Sequence, residues 1–231
     1  MKSPIVGFLI ALAVIAPHSD RGALAQTTAP ALSLHVERQD PTVQRITFDL
    51  AHPPAKMPRM HPGEAALTQY YFDCAVRVSY EIIRSRRLPD GRVEVAAQIR
   101  VARVTLTLDD RIYMPTTANL PLRKHEEGHR EVNERIFIAD AEPAARALAE
   151  RILPKDWTGT GADEDAAGKA ATDLAVNQLC NEYLSVVAGR ASRVGDEYDR
   201  ITMHGTRPID IARAVEMALD TDAKAHPATV P

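Results

Sequence analysis

Hydrophobic and polar residues alternate along two neighbouring stretches of the chain, residues 70–83 and 93–108, as they do in half-buried β-strands. In the second stretch the apolar positions change parity: Val93, Val95, Ala97, Ile99 and Val101 come first, then Val104, Leu106 and Leu108. This shift predicts a bulge or bend near Ala102–Arg103. The turn signal Leu88-Pro89-Asp90-Gly91 lies between the two stretches, so they are predicted to pair as a long antiparallel hairpin.

Two shorter β-prone runs, Leu32–Glu37 and Arg45–Leu50, precede this hairpin. The turn signal Asp40-Pro41 separates them, which predicts a small hairpin of their own. A Pro-rich loop follows and contains His52 and His61, which we expect at the surface and not on a ligand.

A helical period replaces the alternation from about Leu120 to Ile138, and Pro121 suits the first turn of that helix. Asp140 and Pro143 predict its end and the start of a second helix, roughly Glu142–Leu153.

The remaining chain predicts an exposed loop at 155–165, a long helix at about 165–202 and a short helix at about 209–219. We expect the long helix to lie against the helix at 120–138. The tail at 222–231 is polar and contains two prolines, and is predicted to be disordered.

Strands in the first half and helices in the second predict an α+β fold, in which a small antiparallel sheet packs on a helical part. Residues 26–66 would form a leader with short strands, and residues 67–221 the principal domain.

The N-terminus has the pattern of a secretory signal peptide covering residues 1–25. Lys2 precedes an apolar run from Ile5 to Ala16, and Ala23-Leu24-Ala25 provides a cleavage site. The run is too short to span a bilayer, although an N-terminal anchor is the alternative. We therefore expect a periplasmic or secreted protein with no stable membrane insertion after cleavage.

The chain has two cysteines, Cys74 and Cys180. In an oxidising compartment they predict a disulfide, and two buried free thiols are the alternative. Closing a loop of that length would contribute about 4–5 kcal/mol on the chain-entropy model.

Charge excludes one class of partner. The chain has 28 basic and 31 acidic residues, a net charge of −3, and no basic patch that would indicate nucleic-acid binding. No pattern in the sequence predicts an oligomeric state.

The chemistry of the chain centres on His125-Glu126-Glu127-Gly128-His129, an H-E-x-x-H string inside the first predicted helix. Residues four apart lie on one helical face, so both imidazoles can bind one zinc ion. Glu126 lies about 100° further round the helix and could act as general base toward a zinc-activated water. Both histidines also lie on the stripe predicted to be buried, where a lone histidine is more often a core residue. Gly128 is a weak helix former, which indicates close packing against that turn.

A catalytic zinc needs a third protein ligand, and the residues offer alternatives. His204 follows the long helix, where Gly205 can adopt the left-handed conformation of a C-terminal cap. Asp199 is close enough in sequence to orient it. Glu182 is the glutamate of Asn181-Glu182-Tyr183-Leu184-Ser185-Val186, which is similar to the N-E-x-x-S-D of thermolysin-like enzymes except that Val186 replaces the Asp. It lies off the apolar stripe and is expected to face water.

The signal peptide, the hairpin, the H-E-x-x-H helix and the string Tyr198-Asp199…Thr202…His204-Gly205 together resemble a family of predicted secreted bacterial zinc-dependent proteases, long filed as a domain of unknown function. The similarity covers about residues 70–219. It implies that Glu126 is the catalytic base and that the zinc ligands are His125, His129 and His204. Asp199 would orient a ligand or replace one.

These observations predict a periplasmic Zn²⁺-dependent metallopeptidase that acts on a peptide or protein. Tyr198 and Arg130 are candidates to stabilise an oxyanion, and the strand at 92–108 could offer its edge to an extended peptide. The alternatives are a non-catalytic binding or scaffold protein of the cell envelope that retains a metal site, and a zinc hydrolase of peptidoglycan cross-links.

Overall fold

The computed structural model describes residues 32–55, 57–60 and 64–227. The predicted signal peptide and His61 lie outside the described residues. This part of the chain is α+β, as predicted, with five strands and three helices. The strands are β1 (Ser33–Arg38), β2 (Thr42–Phe48), β3 (Leu67–Arg87), β4 (Val93–Pro115) and β5 (Asp156–Gly161). The helices are α1 (Leu120–Ile152), α2 (Glu164–Thr202) and α3 (Ile211–Ala225).

Strand β4 is the centre of the sheet. It pairs antiparallel with β3 over most of its length, as the predicted hairpin requires. Its other edge pairs in succession with β5, β1 and β2. Because β1 and β2 run parallel to β4, the sheet is mixed and not purely antiparallel as predicted.

The predicted hairpin between β1 and β2 is wrong, because both strands continue in one direction along β4. The pairing moves from Arg38↔Leu106 to Thr42↔Asp109, so three residues of one strand face two of the other. Asp40-Pro41 therefore lies in a bulge and not in a reversal of the chain.

The predicted irregularity of the hairpin exists, but it lies at Arg100 and not at Ala102–Arg103. Ser79 pairs with Val101 and Tyr80 with Ile99, which leaves Arg100 as the extra residue. Side chains beyond it change face, so Val101 is 38% exposed instead of sharing the face of the buried Ile99.

The segment predicted as an exposed loop at 155–165 contains β5, which pairs with β4. Its glycines explain the difference. A Cβ at Gly159 would lie 2.3 Å from the backbone nitrogen of Ala171, and one at Gly161 would lie 2.4 Å from that of Ala167. The absence of side chains lets α2 pack directly on this strand.

Helix α1 is continuous, so the predicted break between two helices at Asp140–Pro143 is wrong. Pro143 removes one backbone hydrogen bond, but Ala141, Ala145 and Leu148 on either side of it are buried in the core and hold the helix in place. The N-cap is Asn119, whose side chain accepts from the Leu122 amide at 3.0 Å.

Helix α3 is longer than predicted and ends at Ala225, so residues 222–225 are helical and not part of a disordered tail. Asp222 is buried, and its carboxylate accepts from Nε of Arg190 and of Arg193, each at 3.0 Å. These ion pairs join α3 to α2.

The core lies between the sheet, α1 and α2, where apolar residues of β4 such as Leu106 and Leu108 meet α1 and α2. Cys74 of β3 and Cys180 of α2 form the predicted disulfide, with their Cα atoms 5.5 Å apart. No helix within the described residues is both long enough and apolar enough to span a bilayer.

Candidate metal centre

The three residues of a candidate metal centre come from two helices that pack together. Successive turns of α1 carry His125 and His129, whose ring centroids are 4.8 Å apart. The last turn of α2 carries Asp199, and its Oδ1 lies 3.2 Å from His125 Nε2 and 3.1 Å from His129 Nε2. One potential ligand atom from each residue lies within 4.8 Å of the others, so this largely buried group could hold a metal ion.

The donor set and its spacing fit zinc. Ligands about 2.0–2.1 Å from a tetrahedral zinc are roughly 3.3 Å from one another, close to the two nitrogen–oxygen distances here. Two imidazoles with one carboxylate is also a ligand set that zinc enzymes use, with a fourth position left for solvent.

Thr202 orients the ring of His125. Its hydroxyl donates to the carbonyl of Tyr198 at 2.8 Å, so it meets His125 Nδ1, 3.4 Å away, as an acceptor. A proton on Nδ1, facing this acceptor, would leave the lone pair of His125 Nε2 for a bound metal ion.

Tyr198 supports both histidines from the interior. Its ring stacks on His125 at 5.2 Å and meets His129 edge-on at 4.9 Å. The hydroxyl donates to the carbonyl of His125 at 3.2 Å, and burial raises the pKa of this phenol. Tyr198 thus already donates its only hydroxyl proton, which disfavours its candidate role as a hydrogen-bond donor to an oxyanion.

The close packing predicted at Gly128 is confirmed, and the neighbour is Tyr198. A Cβ on Gly128 would lie 2.0 Å from the hydroxyl oxygen of Tyr198 and 3.0 Å from Ile211 Cγ2. Glycine is therefore what allows the ring of Tyr198 to reach the two histidines.

Glu126 is only 5% exposed and contacts the start of strand β3. Thr68 Oγ1 donates to Glu126 Oε2 at 2.7 Å. Burial raises the pKa of Glu126, although nearby His129 and the hydrogen bond from Thr68 favour the carboxylate. A carboxylate with a raised pKa is suited to accept a proton and return it.

Asp199 is held in its ionised form. Burial alone would raise its pKa, but hydrogen bonds from His125 and His129 and their positive charge lower it well below its usual range. His129 responds in the opposite sense: burial would lower its pKa, whereas Asp199 raises it by hydrogen bonding and charge. A cation placed among these groups would replace the protons that the imidazoles otherwise share with the carboxylate.

His204, the predicted third ligand, is not part of the group of three. Its side chain is 79% exposed and its Nδ1 lies 3.5 Å from Asp199 Oδ1. Met203, His204 and Gly205 have φ values of 50°, 51° and 75°, so three successive residues adopt the left-handed conformation. Asp199, which the sequence suggested as an alternative ligand, is the third member of this group.

The other candidates lie apart from the centre or are engaged elsewhere. Glu182 accepts a hydrogen bond from Arg151 and another, at 2.8 Å, from Gln178 Nε2. These contacts lie on the outer side of α2, where Glu182 is predicted to face water. Arg130 pairs with the carboxylates of Glu127 and Glu134.

Sequence reasoning gave no role to Thr68 or Thr202. Thr202 belongs to the string that contains Asp199, and its spacing of three from Asp199 could have indicated a shared helical face. Thr68 precedes the alternating residues of the predicted hairpin, and no local pattern marks it.

A cleft opens onto the centre. Its walls include Thr68 and Tyr70 from β3, the two histidines and Glu126 from α1, and Ser192, Asp199 and His204 from α2 and the turn after it. The carboxylate of Glu126 and the candidate ligands therefore line one shared cleft.

Comparison with known protein families, with curated proteins and with solved structures finds no match to this chain.

Proposed function

We propose that this protein is a zinc-dependent peptidase in which His125, His129 and Asp199 bind the metal and Glu126 is the general base. The supporting observation is the convergence of these four side chains on one cleft, with Asp199 Oδ1 about equally distant from the two imidazole nitrogens.

A zinc ion bound by these residues would supply a Lewis acid for the scissile carbonyl and lower the pKa of a water in the fourth position. Glu126 then accepts the proton of the attacking water and delivers it to the leaving amine. Thr68 engages Oε2 of the carboxylate, which fixes its orientation and leaves the second oxygen for the proton.

A peptide substrate would bind along the free edge of β3. The edge of β4, considered from sequence, is not available, because β4 is paired on both sides. Strand β3 pairs only with β4 among the described residues, and Leu67, Thr68 and Tyr70 at its start line the cleft. Backbone hydrogen bonds to this edge would lay an extended chain across Glu126.

Two further observations support an extracytoplasmic location. The disulfide is of a kind that persists in oxidising compartments, and the signal-peptide pattern predicts export to the periplasm. The resemblance to predicted secreted zinc-dependent proteases agrees with both and supplies the reaction class.

The test combines metal analysis with peptide hydrolysis. Purified wild-type protein and Glu126→Gln should each bind about one zinc ion per chain, and only the wild type should cleave peptides. A protein without bound zinc would refute the proposal. Equal activity of the two proteins would favour the non-catalytic envelope protein. Cleavage of muropeptides in preference to linear peptides would point to the peptidoglycan hydrolase.

A further inference from the structure

The cleft carries more negative charge than the metal centre requires. Besides Glu126 and Asp199, its lining includes the carboxylates of Glu64 and Asp196, and no Lys or Arg lines it among the described residues. A divalent cation bound by two neutral imidazoles would be balanced by Asp199 and Glu126. Asp196 would then remain as negative charge beyond that balance, facing a substrate.

Asp196 has a defined position relative to the reacting centre. It lies one helical turn before Asp199 on α2, with Ser192 a further turn away, and all three line the cleft. One turn of helix is about 5.4 Å, and an extended peptide advances about 3.3 Å per residue. A side chain one or two residues from the scissile bond can therefore reach the exposed carboxylate of Asp196.

A buried amide supplies an independent observation about the ligand. Asn133 lies one turn beyond His129 on α1, is 3% exposed, and also lines the cleft. Its Nδ2 donates to Oδ1 of the fully buried Asp110 at 2.8 Å. Asp110 thereby fixes the orientation of the amide, and Asn133 Oδ1 has no hydrogen-bond partner among the described residues.

The hydrogen-bond capacity and the charge of the cleft therefore indicate the same class of ligand. The carboxylates only accept hydrogen bonds, and the Asn133 amide nitrogen is turned toward Asp110, so the oxygens of these side chains offer acceptors to a ligand. A lysine ammonium or an arginine guanidinium carries only donors and a positive charge.

We propose that the cleft selects peptide substrates with a lysine or arginine within two residues of the scissile bond, and that Asp196 is the principal determinant. This inference rests on the proposed peptidase function. A basic side chain would bind between Asp196 and the acceptor of Asn133.

The test is cleavage-site mapping followed by matched peptides. The zinc-loaded protein is incubated with a mixture of peptides from a digested proteome, and the cut sites are identified by mass spectrometry. We expect lysine and arginine to be enriched within two residues of the cut. In a peptide chosen from these sites, replacing that lysine by glutamine should lower kcat/KM about tenfold.

Variants assign the preference to Asp196. Asp196→Asn should reduce the lysine-to-glutamine ratio of kcat/KM to about two, and Asp196→Lys should reverse the preference toward glutamate. The matched control is Asp173→Asn, an exposed residue of the same helix that pairs with Lys169, and it should keep the wild-type ratio. Because salt screens charges at a solvated site, 0.5 M NaCl should also reduce the ratio.

The outcomes separate this inference from the proposed function. Cleavage that Glu126→Gln abolishes, but without basic enrichment, would overturn the inference and leave the peptidase in place. A preference that Asp196→Asn does not change would also overturn it. Absence of cleavage, or cleavage that persists in Glu126→Gln, would refute the peptidase and the inference together.

Discussion

The hydroxyl oxygen of Tyr198 lies 2.0 Å from the position that a Cβ on Gly128 would occupy. Gly128, in the middle of the H-E-x-x-H string, thus lies where α1 contacts α2. Because it has no side chain, it makes room for the ring of Tyr198 that stacks on His125. The geometry of the candidate metal centre therefore depends on this contact.

Replacing Gly128 with alanine should therefore damage the site. The methyl group would displace Tyr198, and overpacking of this kind costs about 1–3 kcal/mol. We expect a lower free energy of unfolding and weaker zinc binding, measured by chemical denaturation and by metal titration. The control is Gly189→Ala on α2, where the nearest atom to a Cβ is an Arg193 nitrogen at 3.8 Å. There alanine should stabilise the helix by up to about 1 kcal/mol. Equal effects of the two substitutions would contradict the contact.

Asp199, and not His204, should determine metal affinity. Asp199→Ala removes the oxygen that lies 3.1–3.2 Å from both imidazole nitrogens, and should weaken zinc binding at least a hundredfold, beyond the 10–100-fold effect of removing a residue that only orients a ligand. His204→Ala should keep near-stoichiometric zinc, because that ring is exposed.

Metal analysis of both variants after dialysis against a weak chelator checks this prediction. Glu182→Ala is the control, since Glu182 binds Arg151 and Gln178. Zinc lost from His204→Ala and retained by Asp199→Ala would restore the ligand set that the sequence first suggested.

Asp110 should make stability depend on pH. Burial raises its pKa from 3.8 to about 7, while the hydrogen bond from Asn133 opposes the shift. Because the folded protein holds this proton more tightly than the unfolded chain, the stabilising contribution is complete below about pH 4 and is lost as pH rises through 7. Its upper limit is about 4 kcal/mol.

Asp110→Asn isolates this group. The free energy of unfolding of the variant minus that of the wild type should increase between pH 4 and pH 8, measured by urea denaturation at each pH. A difference that stays constant over this range would show that Asp110 has an ordinary pKa in the folded protein.

The buried carboxylate of Asp222 should stabilise the C-terminal helix. Asp222→Ala leaves Arg190 and Arg193 without their shared partner. Because both arginines are partly exposed, we expect a loss of roughly 2–3 kcal/mol, below the 3–5 kcal/mol of fully buried pairs. Asp220→Ala, an exposed position on the same helix, should change the free energy of unfolding by less than about 0.5 kcal/mol. Similar losses in both variants would argue against the ion pairs.

Local patterns predicted the parts of the site that lie on regular helix. His125, Glu126 and His129 have fixed relative positions once the helix is recognised, and the packing of α2 on α1 follows from its apolar stripe. The third ligand could not be fixed in the same way. The helical period ends at Thr202, and the left-handed residues from Met203 to Gly205 turn the ring of His204 outward.

The errors in the fold have a common cause: contacts between residues far apart in the chain decide these features. Asp40-Pro41 is compatible with a turn or a bulge, and only the partner strand β4 decides between them. The glycines of β5 resemble those of a loop until α2 is placed against them. Pro143 is a reasonable helix boundary, and burial of its neighbours overrides it.

The disulfide between Cys74 and Cys180 joins two elements that line the cleft, because β3 also carries Thr68 and α2 also carries Asp199. In a reducing cytosol the same chain lacks this covalent link, and the walls are held only by packing. If the proposed peptidase function holds, this link would couple maturation of the site to an oxidising compartment and would limit proteolysis inside the cell before export.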